Sequence, residues 1–269
     1  HVRRAPGVRR RTRARLIRGG LYTVLVVAVA AAVQLADWDK VQSAFFKVDL
    51  AREMFPEIVT IAAKNTLIYT VLAFLFGLGL GLVLALMRLS TIAPYRWIAT
   101  VYIEVFRGLP ALVTITIIGF GIPIAFGREA GLESIYTKAM VALGIVAAAY
   151  MAETIRAGIL AVPRGQLEAA RSLGMTYPRA MVSIVFPQAF RVVIPPLTNE
   201  FVLLIKDTAL LFVLGVTPLT KELYRFGQDL ASDTFNSTPL TVSAVMYLLV
   251  TIPLTRLVSL LELRAARAR

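Results

Sequence analysis

Six stretches of this chain are about as long and apolar as a bilayer-crossing helix, and that restricts its fold more than any motif does. The hydrocarbon core of a bilayer asks for ~20 consecutive apolar residues in a helix, and a helix satisfies its own backbone polar groups there. The stretches are Leu16–Ala36, Ile58–Met87, Tyr95–Ala125, Ile135–Leu160, Leu197–Val216 and Pro239–Leu263. Hydrophobic residues make up 58% of the chain and the mean hydropathy is +0.73, far above a soluble domain. The expectation is an all-α, polytopic membrane protein of about six spans. Residues 1–57 read as a basic N-terminus, an additional span and an external segment, and residues 58–264 as the main transmembrane domain.

Charge orients these spans. Basic residues near span ends are retained on the cytoplasmic side. Arg3 to Arg18, Arg88, Arg96, Arg156 to Arg191 and Arg256 to Arg269 fall in segments that alternate with acidic ones carrying Asp37, Asp39, Asp49, Glu53, Glu57, Glu129, Glu133, Glu222, Asp229 and Asp233. Both termini inside satisfies the pattern. The formal charge of +13 then reads as topology and contact with anionic lipid rather than nucleic-acid binding. Cysteine is absent and His1 is the single histidine. That removes disulfides, thiolate metal sites and most histidine-dependent catalysis. No metal site and no catalytic residue is expected.

A polar interruption, Val162 to Pro178, separates two apolar stretches. Gln166 to Leu173 are good helix formers without Pro or Gly, which predicts about two helical turns. Pro163 and Gly165 mark the entry, and Gly174 stands where a left-handed residue would end the helix. A short basic helix at a membrane surface is shaped to dock on a soluble partner. Gly77-Leu-Gly79-Leu-Gly81 lie within a span, with no Gly-Lys-Ser/Thr after them. They cannot cradle a phosphate, though they let helices approach closely. Energy for any transport must come from a partner or from an ion gradient.

Ionisable residues within spans usually face a bundle interior, because exposing them to lipid is costly. Glu104 and Arg107 share a helix face and can pair, as a structural ion pair or as part of a gate. Glu153 could take a substrate amine or pair with a base at the inner surface. Asn199 and Lys206 share a face of the fifth span, with Lys206 about 14 Å along it at 1.5 Å per residue. Its anionic partner is expected to be Asp207, Glu104, Glu153 or a substrate carboxylate, an internal pair being the favoured choice.

Glu168-Ala169-Ala170, then Gly174, then Ile184-Val185-Phe186-Pro187 resembles the cytoplasmic coupling loop of bacterial ABC-importer permeases, with Phe186 where leucine is usual. Ala149-Tyr150, Ala152-Glu153, Arg156, Pro187-Gln188, Pro195-Pro196-Leu-Thr-Asn199-Glu200 and Lys206-Asp207-Thr208 are similar to the polar amino-acid branch of that family. So is Glu104-Val-Phe106-Arg107-Gly108-Leu109-Pro110, with Leu109 in place of the usual threonine. The resemblance covers roughly residues 61 to 263. It implies a type I ABC importer permease fold with a coupling helix carrying Gln166, Glu168, Ala169, Ala170 and Gly174, the two alanines offering a flat face. It implies Glu104, Arg107, Glu153, Asn199, Lys206 and Asp207 along a substrate pathway or gate. It also implies a bacterial inner-membrane location, a second permease subunit, identical or similar, ABC ATPase subunits that bind ATP and Mg, an extracytoplasmic binding protein and a polar amino acid as cargo. No cofactor is implied in this chain. The rival class is an ion-coupled secondary transporter or channel, with Lys206, Glu104 and Glu153 as its charge relay.

Overall fold

A computed structural model describes residues 8–127 and 131–267. His1, Arg3, Arg4, Glu129 and Arg269, which enter the reading above, lie outside the described residues. The chain forms two compact units, His1–Val48 and Asp49–Arg269.

In the first unit, α1 (Val8–Leu35) contains the span-length stretch Ile17–Leu35. Asp37 caps the following α2 (Trp38–Phe45) by accepting the Lys40 N–H at 3.2 Å. The Lys40 ammonium lies 2.8 Å from the same carboxyl. These hydrogen bonds hold the Asp37 carboxyl below the usual carboxylate range. The Trp38 indole N–H donates to the Val33 carbonyl at 2.7 Å, tying α2 back to the end of α1.

The second unit opens with the end of the short helix α3 (Val48–Glu53). A wide helical turn, Ile58–Ala63, runs directly into α4 (Lys64–Leu89). Then come α5 (Ala93–Gly108), α6 (Ala111–Thr116) and α7 (Ile122–Phe126). After them follow α8 (Ile135–Leu160), α9 (Arg164–Ser172), α10 (Tyr177–Ala180) and α11 (Phe186–Asp207). A tight helical segment, Thr208–Leu214, precedes α12 (Leu223–Thr234) and α13 (Thr238–Arg267).

The centre of this unit is the α4–α8 seam, made of small residues. A Cβ on Gly77 would lie 3.1 Å from the Gly144 carbonyl oxygen, and one on Gly81 would lie 3.0 Å from the Ala148 carbonyl oxygen. Two helix backbones therefore touch, and dispersion between them replaces the hydrophobic drive that lipid cannot supply. Ala73, Ala85, Ala148, Met151 and Ala152 are fully buried along this seam. Gly79, expected to share in the close approach, faces open space. A helix turns ~100° per residue, so Gly77 and Gly81 share a face from which Gly79 is excluded.

Among the described residues, four helices are long and apolar enough to cross a membrane: Ile17–Leu35, Ile58–Leu89, Ile135–Leu160 and Thr238–Leu260. The third expected span, Tyr95–Ala125, is instead a broken pair, α5 and α6–α7, bent by 110°. Pro110 disfavours helical geometry at the residue before it, and Leu109 is extended at φ −86°, ψ 143°. The fifth expected span and the interfacial helix before it are also different from expectation. Helix runs without interruption from Tyr177 to Asp207, straight through Pro195 and Pro196. Those prolines remove two ladder bonds, but α11 is held by packing on α8, α13 and α4.

At the end of α4 opposite Arg88, Met54, Ile58, Ala62 and Ala63 pack on Leu223 and Phe226. Polar pins fix the connector there. Asn65 donates its amide to the Leu219 and Lys221 carbonyls at 2.9 and 3.1 Å, and Tyr69 its hydroxyl to the Thr220 carbonyl at 2.7 Å. The Leu223 N–H donates to the Thr66 hydroxyl at 3.1 Å. Fully buried Glu222 caps α12, accepting the Tyr224 and Arg225 N–H groups at 2.6 and 2.7 Å and the Tyr247 hydroxyl at 3.0 Å. Burial outweighs those hydrogen bonds and pushes the Glu222 carboxyl up to about 7.

Candidate functional site

The short helix expected in the polar interruption forms, over Arg164–Ser172 (α9). Gly174 has φ +84°. Its N–H donates to the Arg171 carbonyl at 3.0 Å, and the Met175 N–H to the Ala170 carbonyl at 3.1 Å. That pair of bonds is a Schellman closure, which needs a residue tolerating the left-handed region. Gln166, Glu168 and Ala169 are exposed, whereas Ala170 is buried. The flat two-alanine face is thus corrected: adjacent residues point ~100° apart on a helix, and Ala170 packs into its own chain. Leu173, 85% exposed, and Tyr177, 55% exposed, extend the outward surface with apolar groups. Sequence reading missed both; large apolar residues beside a docking helix were the available signal. Behind α9 lies an open groove of about 860 Å³, whose walls include Leu86, Leu89, Ser90, Arg164, Leu167 and Glu168.

Near that groove, charged residues from three helices meet. Arg88, in the last turn of α4, lies 2.5 Å from Glu153 of α8 and 3.7 Å from Glu104 of α5. Arg156 donates through Nε to both Glu153 oxygens at 3.2 Å and pairs with Oε1 again through Nη2. The expected Glu104–Arg107 pair does not form: Glu104 turns to Arg88, and the Arg107 guanidinium sits 5.5 Å from the centre of the Tyr150 ring, a cation–π arrangement. Spacing along one helix allowed the pair, but contacts across helices outcompeted it. Arg88 was read only as a basic turn residue, and nothing in its own helix identifies its partners.

Asn199 and Lys206 do share a face of α11. Pro196, Asn199, Leu203 and Lys206 are all exposed along it. Among the described residues Lys206 forms no salt bridge, so the favoured internal pair is corrected. Asp207, its neighbour in sequence, points ~100° away around the helix, while Glu104 and Glu153 are engaged by arginines. Asp207 instead lines a cavity of about 260 Å³ with Leu109, Tyr150, Glu200 and Leu203. Glu200 and Tyr150 were not singled out as site residues. The cavity gathers the break at Leu109 with α6, α8 and α11, and no single-helix pattern shows such a convergence. Among the described residues, no group of His, Cys, Asp and Glu is arranged to hold a metal ion. The arrangement offers an ion-pair cluster joining three helices, a lysine on an exposed face and an exposed short helix.

Comparison with known proteins places these features in a family. Residues 77–267 match the family model described as binding-protein-dependent transport system inner membrane component. The chain is 40% identical over 184 residues to the L-cystine transport system permease protein TcyB of Bacillus subtilis, covering 68% of this chain and 75% of that protein. It is 38% identical over 210 residues to the probable glutamine ABC transporter permease protein GlnM of the same organism, covering 76% and 91%. A solved amino acid ABC transporter crystallised with histidines matches with a TM-score of 0.69 and 39% identity, over 79% of this chain and 95% of the other. The MetNI methionine ABC transporter in an inward-facing form shares the fold, with a TM-score of 0.62 at 20% identity.

Proposed function

The chain belongs to the family of binding-protein-dependent transport system inner membrane components, and from that premise we propose that it carries polar amino acids inward as one half of a dimeric pathway. It is an ABC-importer permease subunit of the bacterial inner membrane and not an enzyme. The relatives whose names specify cystine and glutamine support an amino acid as cargo. Two such subunits, identical or similar, enclose the route. A pair of ATPases that bind ATP and Mg sits on the cytoplasmic side, and an extracytoplasmic binding protein delivers the amino acid to the opposite side.

The observation that carries this reading is α9, closed at Gly174 and presenting Gln166, Glu168, Ala169 and Leu173 outward. Glu168 pairs with a base on the ATPase, and Ala169 allows close approach. ATP-driven closure of the ATPases displaces α9 and opens the spans outward. Glu104, Arg107, Glu153 and Asp207 lie along the route, and Asn199 and Lys206 face the second subunit across it.

Co-purification with a partner ABC ATPase tests the docking. Gly174→Val forces a Cβ into the left-handed region, which penalises β-branched residues. The variant is expected to insert normally and to lose most ATPase docking and substrate-stimulated hydrolysis. Fully coupled uptake by Gly174→Val would refute the assignment. Lys206→Met removes the charge but keeps the length. Its expected effect is weaker uptake by an intact complex; unchanged uptake would take Lys206 off the route.

A further inference from the structure

The end of α4 touches both halves of the machinery. Leu86, Leu89 and Ser90 form walls of the groove behind α9, opposite Leu167 and Glu168. Arg88, within the same turn, reaches the other way to carboxylates on α5 and α8. Its two contacts are unequal. Glu153 is held at hydrogen-bond distance and is also fixed by Arg156. Glu104 stands at 3.7 Å with 66% of its side chain exposed and is in ionic contact only.

We infer that Arg88 is a positioning residue of the transport cycle, through which the groove behind α9 sets the placement of the Glu104 and Glu153 carboxylates. This rests on the reading of α9 as the docking helix. A static clamp would engage both carboxylates equally; here the α8 side is fixed and the α5 side is free to exchange. The helix bearing Glu104 breaks about a turn and a half further on, at Leu109 and Pro110, where α5 and α6 meet at 110°. α5 itself stays packed on α4 and α8 through fully buried Ala99 and Ile103, and the Tyr102 hydroxyl donates to the Ile145 carbonyl at 2.9 Å. Arg88 thus holds α8 to α4 and exchanges only its contact with the Glu104 carboxylate. A guanidinium suits this task because its planar fork can address two carboxylates at once, whereas an ammonium is a single point charge.

The test uses the full complex of permease, ATPase and binding protein in proteoliposomes, reading ATP hydrolysed per amino acid imported. Arg88→Gln is expected to leave the complex assembled and ATP hydrolysis within about twofold, while import falls at least ~10-fold, so that the ratio rises about as much. Arg88→Lys keeps the charge but loses the fork and is expected to restore only part of the import. The inference is overturned if Arg88→Gln lowers hydrolysis and import in the same proportion, if it imports normally, or if Arg88→Lys is as defective as Arg88→Gln. Should Arg88→Gln fail to assemble, Arg88→Lys, which keeps the charge and loses only the fork, is read on its own. A severalfold rise in the ratio then supports the inference, and an unchanged ratio overturns it. If the wild-type permease does not bind the ATPase at all, the docking reading fails instead, and the two failures remain distinguishable.

Discussion

Glu222 is a fully buried carboxyl that forms no salt bridge among the described residues, and its ionisation has a definite sign. The folded protein holds its proton up to about 7, against an ordinary value of 4.5. Below pH 4.5 both folded and unfolded chains carry the proton, and the group adds no penalty. Between 4.5 and 7 only the folded chain keeps it, so stability falls as pH rises, and above 7 the penalty is complete. The gap corresponds to a loss on the order of 3 kcal/mol at most. Tyr247 of α13, Tyr69 of α4 and Arg225 of α12 act on the group. Tyr136 of α8 reaches the junction through Asn65. Thermal unfolding from pH 5 to 8 is expected to show the wild type losing stability relative to Glu222→Gln. Parallel curves would rule this out. Sequence reading counted Glu222 only as an external charge, since its burial depends on α4 and α13, more than 150 and about 25 positions away by the partners involved. Gly174, by contrast, was legible: helix formers, then glycine, specify their closure within a few residues.

At the scale of elements, the α4–α8 seam supports a sharp comparison. Gly81→Ala places a Cβ 3.0 Å from both the Ala148 carbonyl oxygen and the Met151 Cβ. Neither is a flexible side-chain end that could move aside. Overpacking of this kind costs about 1–3 kcal/mol. Gly79→Ala meets no atom within 4 Å, and gains up to ~1 kcal/mol of helix propensity. Thermal unfolding in detergent is therefore expected to order the proteins Gly79→Ala, wild type, Gly81→Ala. The reverse order would mean that these helices do not pack through Gly81. Spans, the docking helix and the left-handed stop were readable because apolar length and local helix signals act within one segment. Two errors share one cause. Pro110 breaks its span whereas Pro195 and Pro196 do not break theirs, and the difference lies in which neighbouring helices hold the chain on either side. Likewise, i, i+3 spacing made Glu104 and Arg107 able to meet but could not reveal that Arg88 and Tyr150 offer better partners across helices.

For the whole molecule, orientation in the membrane is the premise on which docking, delivery and the direction of transport depend. The argument for it is the separation of charge. Arg88, Arg156, Arg164, Arg171 and Arg179 lie toward the α9 end, while Glu222, Asp229 and Asp233 outnumber Lys221 and Arg225 in the connector at the other end of α4. Positive segments stay in the cytoplasm, so α9 is expected inside and α12 outside. The absence of cysteine makes single introduced thiols unambiguous reporters. Leu173 is 85% exposed, and Ser232 is an exposed residue near the end of α12, so a cysteine at either place disturbs no packing. An impermeant thiol reagent added to intact cells is expected to label Ser232→Cys and to spare Leu173→Cys until the membrane is opened. Arg10→Cys, preceding the first span, is expected to be spared likewise. Labelling of Leu173→Cys in intact cells, with protection of Ser232→Cys, would put the docking helix on the side without ATP. It would then overturn the proposed direction of transport together with the docking itself.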